Sequence, residues 1–292
     1  MNQLFLVIHR EYTTRVRKLS FVLTTILTPV LLSLIVLLPA YFATNPDSEA
    51  VIDEAHLFKP LLGILLGFVI YMFIFMFSIR VMRAVLEEKN GRIVELILTS
   101  ISPVKFMAGK IAGIALVAFT QIFCWIIIIS VARLFIPVAS GVPVNISQPE
   151  INTIAFSFLF FFIGGYLLYS SIFAAISAAG KSDEEVGQFS MIVTIPLIAA
   201  IVVVSSSVYT PHGSLAYWFS MIPFTSPVVM MSRVVHGVPL QEIFLSMFLL
   251  VVTVAAIVWL SGKIYKMTIL YTGKKVKIRD IISWIKPSNT PE

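Results

Sequence analysis

The sequence predicts an all-α protein embedded in a lipid bilayer, and three observations carry that prediction. Of its 292 residues, 58% are apolar and 12% charged, whereas soluble domains average about 45–50% and about 25%. Six stretches approach or exceed the roughly 20 apolar residues needed to cross about 30 Å of hydrocarbon. The basic residues are also sorted to one side of those stretches, as the positive-inside rule describes. A soluble globule, a disordered chain and a coiled-coil rod are thereby excluded. The single cysteine, Cys124, excludes a disulfide scaffold and a cysteine zinc cluster. The expected organisation is one transmembrane domain over residues 1–292.

Residues 1–20 form a short amphipathic segment, in which Leu4, Phe5, Val7 and Ile8 are apolar and Arg10, Glu11, Arg15, Arg17 and Lys18 are charged. This suits an elbow helix lying along the cytoplasmic leaflet; the alternative is a plain basic flank. The first span is 21–43. It is too long for a signal peptide and is followed by no A-x-A site. A loop of 17 residues, 44–60, carries Asp47, Glu49, Asp53 and Glu54. The second span, 61–79, enters the charged segment 80–110. There Ile93, Leu96 and Ile97 recur at helical spacing, and Glu88 and Arg92 form an i,i+4 pair. The third, fourth and fifth spans are 111–132, 153–179 and 186–204, and the sixth is 243–262.

Between the last two spans, residues 206–239 are apolar enough to suggest a seventh crossing, but Pro223 and Pro227 break the segment. Charge gives the same answer. With six spans, eighteen Lys and Arg lie on the side of both termini and three, Lys59, Arg133 and Arg233, on the other. A seventh span would move the basic tail, 263–292, outside. Both termini are therefore expected in the cytoplasm, with 206–239 an outward re-entrant pair of short helices. The net charge of +6 reflects this sorting, and no nucleic-acid partner is expected.

No catalytic set emerges. His9, His56, His212 and His236 fall in separate segments, so no metal site is expected. The serines in the spans have no paired base. Gly180-Lys181-Ser182 echoes the end of a phosphate loop, but the first glycine would fall at Ala175. No cofactor is expected on this chain. Gly63-x-x-x-Gly67 and Gly109-x-x-x-Gly113 suit close helix packing, within one subunit or between two.

The stretch EEKNGRIVELILTSISPVKFMAGKIAG, residues 87–113, resembles the coupling-helix segment of type-2 ABC exporter permeases. The matching positions are Glu87, Glu88, Lys89, Arg92, Glu95, Leu96, Ser102, Pro103, Gly109 and Lys110. HREYTTRVRKLSFVLTTILTP (9–29), SDEEVGQ (182–188) and IPFTSPVVMMSR (222–233) resemble that family's elbow, its fourth-to-fifth connection and its outward loop. The order agrees along nearly the whole chain, and the sodium-efflux-like branch of bacteria is the most similar. That branch often carries a large outer domain between its first two spans. Here only 44–60 stands in its place, so the chain is either a naturally short member or a form from which that domain has been removed.

The resemblance implies a permease subunit in the bacterial cytoplasmic (inner) membrane, paired with a second copy or a paralogue. A separate cytoplasmic ABC ATPase would bind ATP and Mg2+. It further implies that Glu87, Glu88, Arg92, Ile93, Glu95, Leu96, Ile97 and Ser100 couple to that ATPase. Pro223, Phe224, Pro227 and Arg233 would form an outward gate. The competing classes are an ion-coupled secondary transporter, which calls for buried carboxylates or internal repeats, and an intramembrane enzyme, which calls for a catalytic set within the spans. The transported substrate does not follow from these residues.

Overall fold

In a computed structural model the described residues, 3–43, 54–90, 102–135, 148–180, 182–207 and 210–270, form helices and short connections with no strand among them. The helices are α1 (Gln3–Val16), α2 (Leu19–Ala43), α3 (Glu54–Asn90), α4 (Pro103–Phe135), α5 (Gln148–Ala179), α6 (Asp183–Ser207), α7 (Ser214–Met221), α8 (Ser226–Val234) and α9 (Leu240–Leu270). Five of them, α3, α4, α5, α6 and α9, are long and apolar enough to cross a bilayer. The protein is an all-α integral membrane protein.

Local chemistry sets the boundaries. A turn at Arg17-Lys18, with Phe21 N–H donating to the Lys18 carbonyl at 2.9 Å, separates α1 from α2. Ser182 caps α6 by accepting from Glu185 N–H at 3.2 Å. The acidic first turn Asp183, Glu184 and Glu185 complements the helix dipole. Several helices outrun the spans expected from hydropathy. The most consequential is α3, which continues past Ile79 through the charged residues to Asn90 and holds Pro60 in its early turns.

The centre of the bundle is built by α3 and α5. The Phe73 ring meets Trp125 of α4 edge-on at 4.9 Å and Phe162 of α5 at 5.9 Å. Gly165 of α5 admits Ile74 of α3 at van der Waals contact, and neighbouring Gly164 seats Leu250 of α9. Buried hydroxyls find backbone partners: Tyr166 Oη donates to the Ile111 carbonyl at 2.7 Å and Ser177 Oγ to that of Met82 at 2.8 Å. In hydrocarbon such a bond removes the cost of an unsatisfied polar group.

Both glycine pairs singled out in the sequence are used inside this chain. A Cβ on Gly113 would stand 2.7 Å from Glu11 Cβ, and one on Gly109 2.9 Å from Val7 Cγ1, so this pair lets α1 lie against α4. A Cβ on Gly63 would stand 2.9 Å from the Ser232 carbonyl oxygen, and one on Gly67 3.3 Å from that of Val228. That pair seats α8 on α3.

Candidate functional site

Two polar clusters lie at opposite ends of α3. The first surrounds Lys110, which is only 2% exposed. Its ammonium reaches Glu88 Oε1 of α3 at 2.8 Å and Glu11 Oε1 of α1 at 3.2 Å. It also donates to the Ala84 carbonyl at 3.1 Å and lies 5.4 Å from the Phe106 ring centre. Glu11 accepts a further contact from Arg15, at 3.0 Å. Burial pushes the Glu11 carboxyl up, but Lys110 and Arg15 more than reverse this, leaving it below its ordinary 4.5.

Lys89, beside Glu88, donates to the carbonyls of Ala178, at 2.6 Å, and Gly180. It therefore neutralises the carbonyl-rich C-terminus of α5, the end of a helix where a cation is favoured. Glu87 is exposed. The three consecutive residues Glu87, Glu88 and Lys89 thus face solvent, α4 and α5 respectively. Together Glu88 and Lys110 close the neck of the stretch that leaves α3 at Asn90 and rejoins the described chain at Ser102.

Arg92, Ile93, Glu95, Leu96, Ile97 and Ser100 lie outside the described residues. Of the sequence-derived coupling set, only Glu87 and Glu88 are placed. Glu88 Oε1 is held by Lys110, and its buried Oε2 has no hydrogen-bond partner among the described residues. The sequence reading missed the pairing partner Glu11. The signal for it was present, because Glu11 lies one helical turn from Val7 and Ile8 on the face that meets the Gly109 and Gly113 ridge.

The second cluster surrounds Arg233, also 2% exposed. Its guanidinium donates to Ser220 Oγ at 2.6 Å, Glu242 Oε2 at 2.9 Å and the Pro211 carbonyl at 3.0 Å. One side chain therefore ties α7, α8, α9 and the chain before α7. Ser246 Oγ of α9 donates to the Ser220 carbonyl at 2.7 Å.

The α7–α8 pair forms a hairpin whose link, 222–225, contains Pro223 and Phe224. Thr225 Oγ1 donates to the Phe219 carbonyl at 2.5 Å, and Tyr169 Oη of α5 to the Phe224 carbonyl at 2.7 Å. Pro227, in the first turn of α8 where proline is tolerated, packs on Gly165. Gly165 and Tyr169 lie near the middle of α5, so the hairpin tip reaches about half-way along it. All nine residues of α8 are buried. At 1.5 Å per residue α8 is about 13 Å long, less than half a hydrocarbon layer of about 30 Å.

These features define a multi-pass membrane protein with a latched charged neck at one end and a buried half-length hairpin at the other. The family described as ABC-2 family transporter protein matches residues 59–263, and the chain belongs to that family. It is 30% identical over 234 residues to the uncharacterized protein MJ1024 of Methanocaldococcus jannaschii, covering 80% of this chain and 56% of that protein. It is 26% identical over 223 residues to the uncharacterized protein YhaP of Bacillus subtilis, covering 73% of this chain and 52% of that one. The chain thus spans about half the length of the curated relatives it matches.

Proposed function

We propose that the chain is the membrane-spanning subunit of an ATP-driven exporter and crosses the bacterial cytoplasmic membrane six times, α2 supplying the first crossing. Both termini, and the neck closed by Glu88 and Lys110, lie in the cytoplasm. A second copy or a paralogue completes the translocation path. A separate ABC ATPase binds ATP and Mg2+ and takes the stretch 91–101 into a groove. In that groove Ile93, Leu96 and Ile97 supply the apolar contact, with Glu87, Arg92, Glu95 and Ser100 around it. On the opposite side the α7–α8 hairpin, with Pro223, Phe224 and Pro227 at its tip and Arg233 at its base, acts as the outward gate.

The observation that carries this reading is the neck. A segment that only rested on lipid would need no buried ion pair at its base. Here Glu88, Lys89 and Lys110 bind both ends of the segment to α1, α4 and α5. A push on the segment is therefore delivered to the bundle. Along α3 it also reaches Gly63 and Gly67, where α8 is seated. The test is co-purification of the chain with its ATPase. Leu96→Ala should reduce retention about tenfold, as expected for loss of a buried anchor, while Glu87→Ala, at an exposed site, leaves it within about twofold. Glu95→Lys should be worse than Glu95→Ala, because it adds repulsion. Equal retention by Leu96→Ala, Glu95→Lys and wild type would end the coupling assignment.

A further inference from the structure

One face of α4 is buried from its cytoplasmic end outward. Lys110, Ile114, Val117, Ala118, Gln121 and Trp125 recur along it at helical spacing, with Gln121 0% and Trp125 6% exposed. Lys110, at the inner end, is met by Glu11, Glu88 and the Ala84 carbonyl. Gln121 and Trp125 are not met in this way. Gln121 Oε1, Gln121 Nε2 and Trp125 Nε1 are all buried, and none has a hydrogen-bond partner among the described residues.

The serines Ser78, Ser157 and Ser171 are also without a partner there. A serine on a helix can turn its hydroxyl to the carbonyl of the preceding turn. An indole N–H has no such recourse, and a glutamine amide brings both donors and an acceptor to be filled. Depth raises the cost. From Lys110 to Gln121 the helix rises about 17 Å, roughly half the hydrocarbon thickness of about 30 Å. With Lys110 at one boundary, Gln121 stands near the middle, out of reach of headgroups and bulk water, where an unmet polar group is most unfavourable.

The donor set selects the ligand. The indole N–H demands an acceptor and therefore disfavours a cation. The Gln121 carbonyl oxygen demands a donor, which an anion does not supply. A small neutral molecule that both donates and accepts satisfies the two together. Residues one turn apart on a helix have Cβ atoms about 5–6 Å apart, and two hydrogen bonds of about 2.9 Å through one oxygen span that distance. The Trp125 ring is fixed edge-on against Phe73 at 4.9 Å, and Phe73 lies 5.9 Å from Phe162, so the neighbouring wall is aromatic. We propose that Gln121 and Trp125 bind an internal water molecule, which bridges the amide and the indole N–H where α4 packs on α3.

The site is tested on the full chain in neutral detergent, with the tryptophan indole nitrogens labelled with 15N and the Trp125 resonance identified by its loss in Trp125→Phe. Rotating-frame spectra should show a cross-peak between the Trp125 indole proton and water, with the sign of cross-relaxation rather than of chemical exchange. Gln121→Leu should lose this cross-peak, because the water keeps too few polar partners. Gln188→Leu, at an exposed glutamine of α6, should retain it. If Gln121→Leu loses its helical circular dichroism, Gln121→Met carries the same comparison. Absence of the cross-peak in wild type would overturn the site, as would a peak with the sign of exchange. Equal cross-peaks in wild type and the folded Gln121 variant would overturn the role of the amide.

Discussion

Replacing Lys110 with methionine keeps the side-chain stem and removes the charge. It leaves Glu88 facing Glu11 with no cation between them. Glu11 retains Arg15, whereas Glu88 loses the partner of Oε1 and has none at Oε2 among the described residues. Breaking one member of a buried ion pair costs about 3–5 kcal/mol, mostly because the surviving charge is stranded. Both carboxylates are 14% exposed, and water reaching them places the expected loss near the lower end, about 3 kcal/mol. The stranded charge gives the cycle its sign. Glu88→Gln alone should cost about 1–2 kcal/mol, but in the Lys110→Met background it should restore stability by about 1 kcal/mol, since it removes the uncompensated carboxylate. The measurement is unfolding by sodium dodecyl sulfate from neutral micelles, followed by far-ultraviolet circular dichroism, for both single variants and the double. Strict additivity, or a Lys110→Met loss below about 0.5 kcal/mol, would mean that the neck is a screened surface pair.

Three further outcomes are expected. Gly113→Leu should lift α1 from α4 and speed amide exchange across residues 3–16. Gly187→Leu, where an added Cβ meets nothing within 4 Å, should not. Because Glu11 titrates below 4.5 in the folded chain, its contribution is complete above that pH and is lost as pH falls through the lowered value; Glu11→Gln should flatten this part of the acid-unfolding curve, and an unchanged curve would deny Glu11 the role. Tyr169→Phe removes the bond to the Phe224 carbonyl and should cost about 1 kcal/mol, with faster exchange confined to the hairpin tip. Uniform exchange across the bundle would show that the tip is held by other contacts.

The fold class was legible because a bilayer imposes length and apolarity on every crossing helix. The break in 206–239 was legible for a similar reason: prolines at 223 and 227 leave no helix between them long enough to cross. What hydropathy could not give was where α3 ends. The hydropathic signal stops at Ile79, yet the backbone continues to Asn90. A helix keeps its hydrogen bonds after leaving hydrocarbon, so its end is set by capping and tertiary contacts rather than by polarity.

The charges of the neck show where sequence reading of a site reaches its limit. Counting Arg and Lys assigned Lys89 and Lys110 to one side of the membrane, which needs no knowledge of their partners. Helical spacing paired Glu88 with Arg92, because within one helix the i,i+4 neighbour is the nearest charge that can be named. Arg92 lies outside the described residues, and the structure gives Glu88 a partner that spacing could not name, Lys110 on another helix. That choice follows from desolvation: Lys110 is buried and makes two carboxylate contacts, so each strengthens as water is excluded. It also depends on Gly109 and Gly113, which let α1 approach closely enough to bring Glu11. The glycine spacing was visible and its use was not, because GxxxG specifies that something packs closely without specifying what. Here the occupant is the chain's own first helix. The pairing that latches the neck is therefore a tertiary product of two sequence features, a glycine ridge on α4 and the single glutamate of α1, that only the fold brings together.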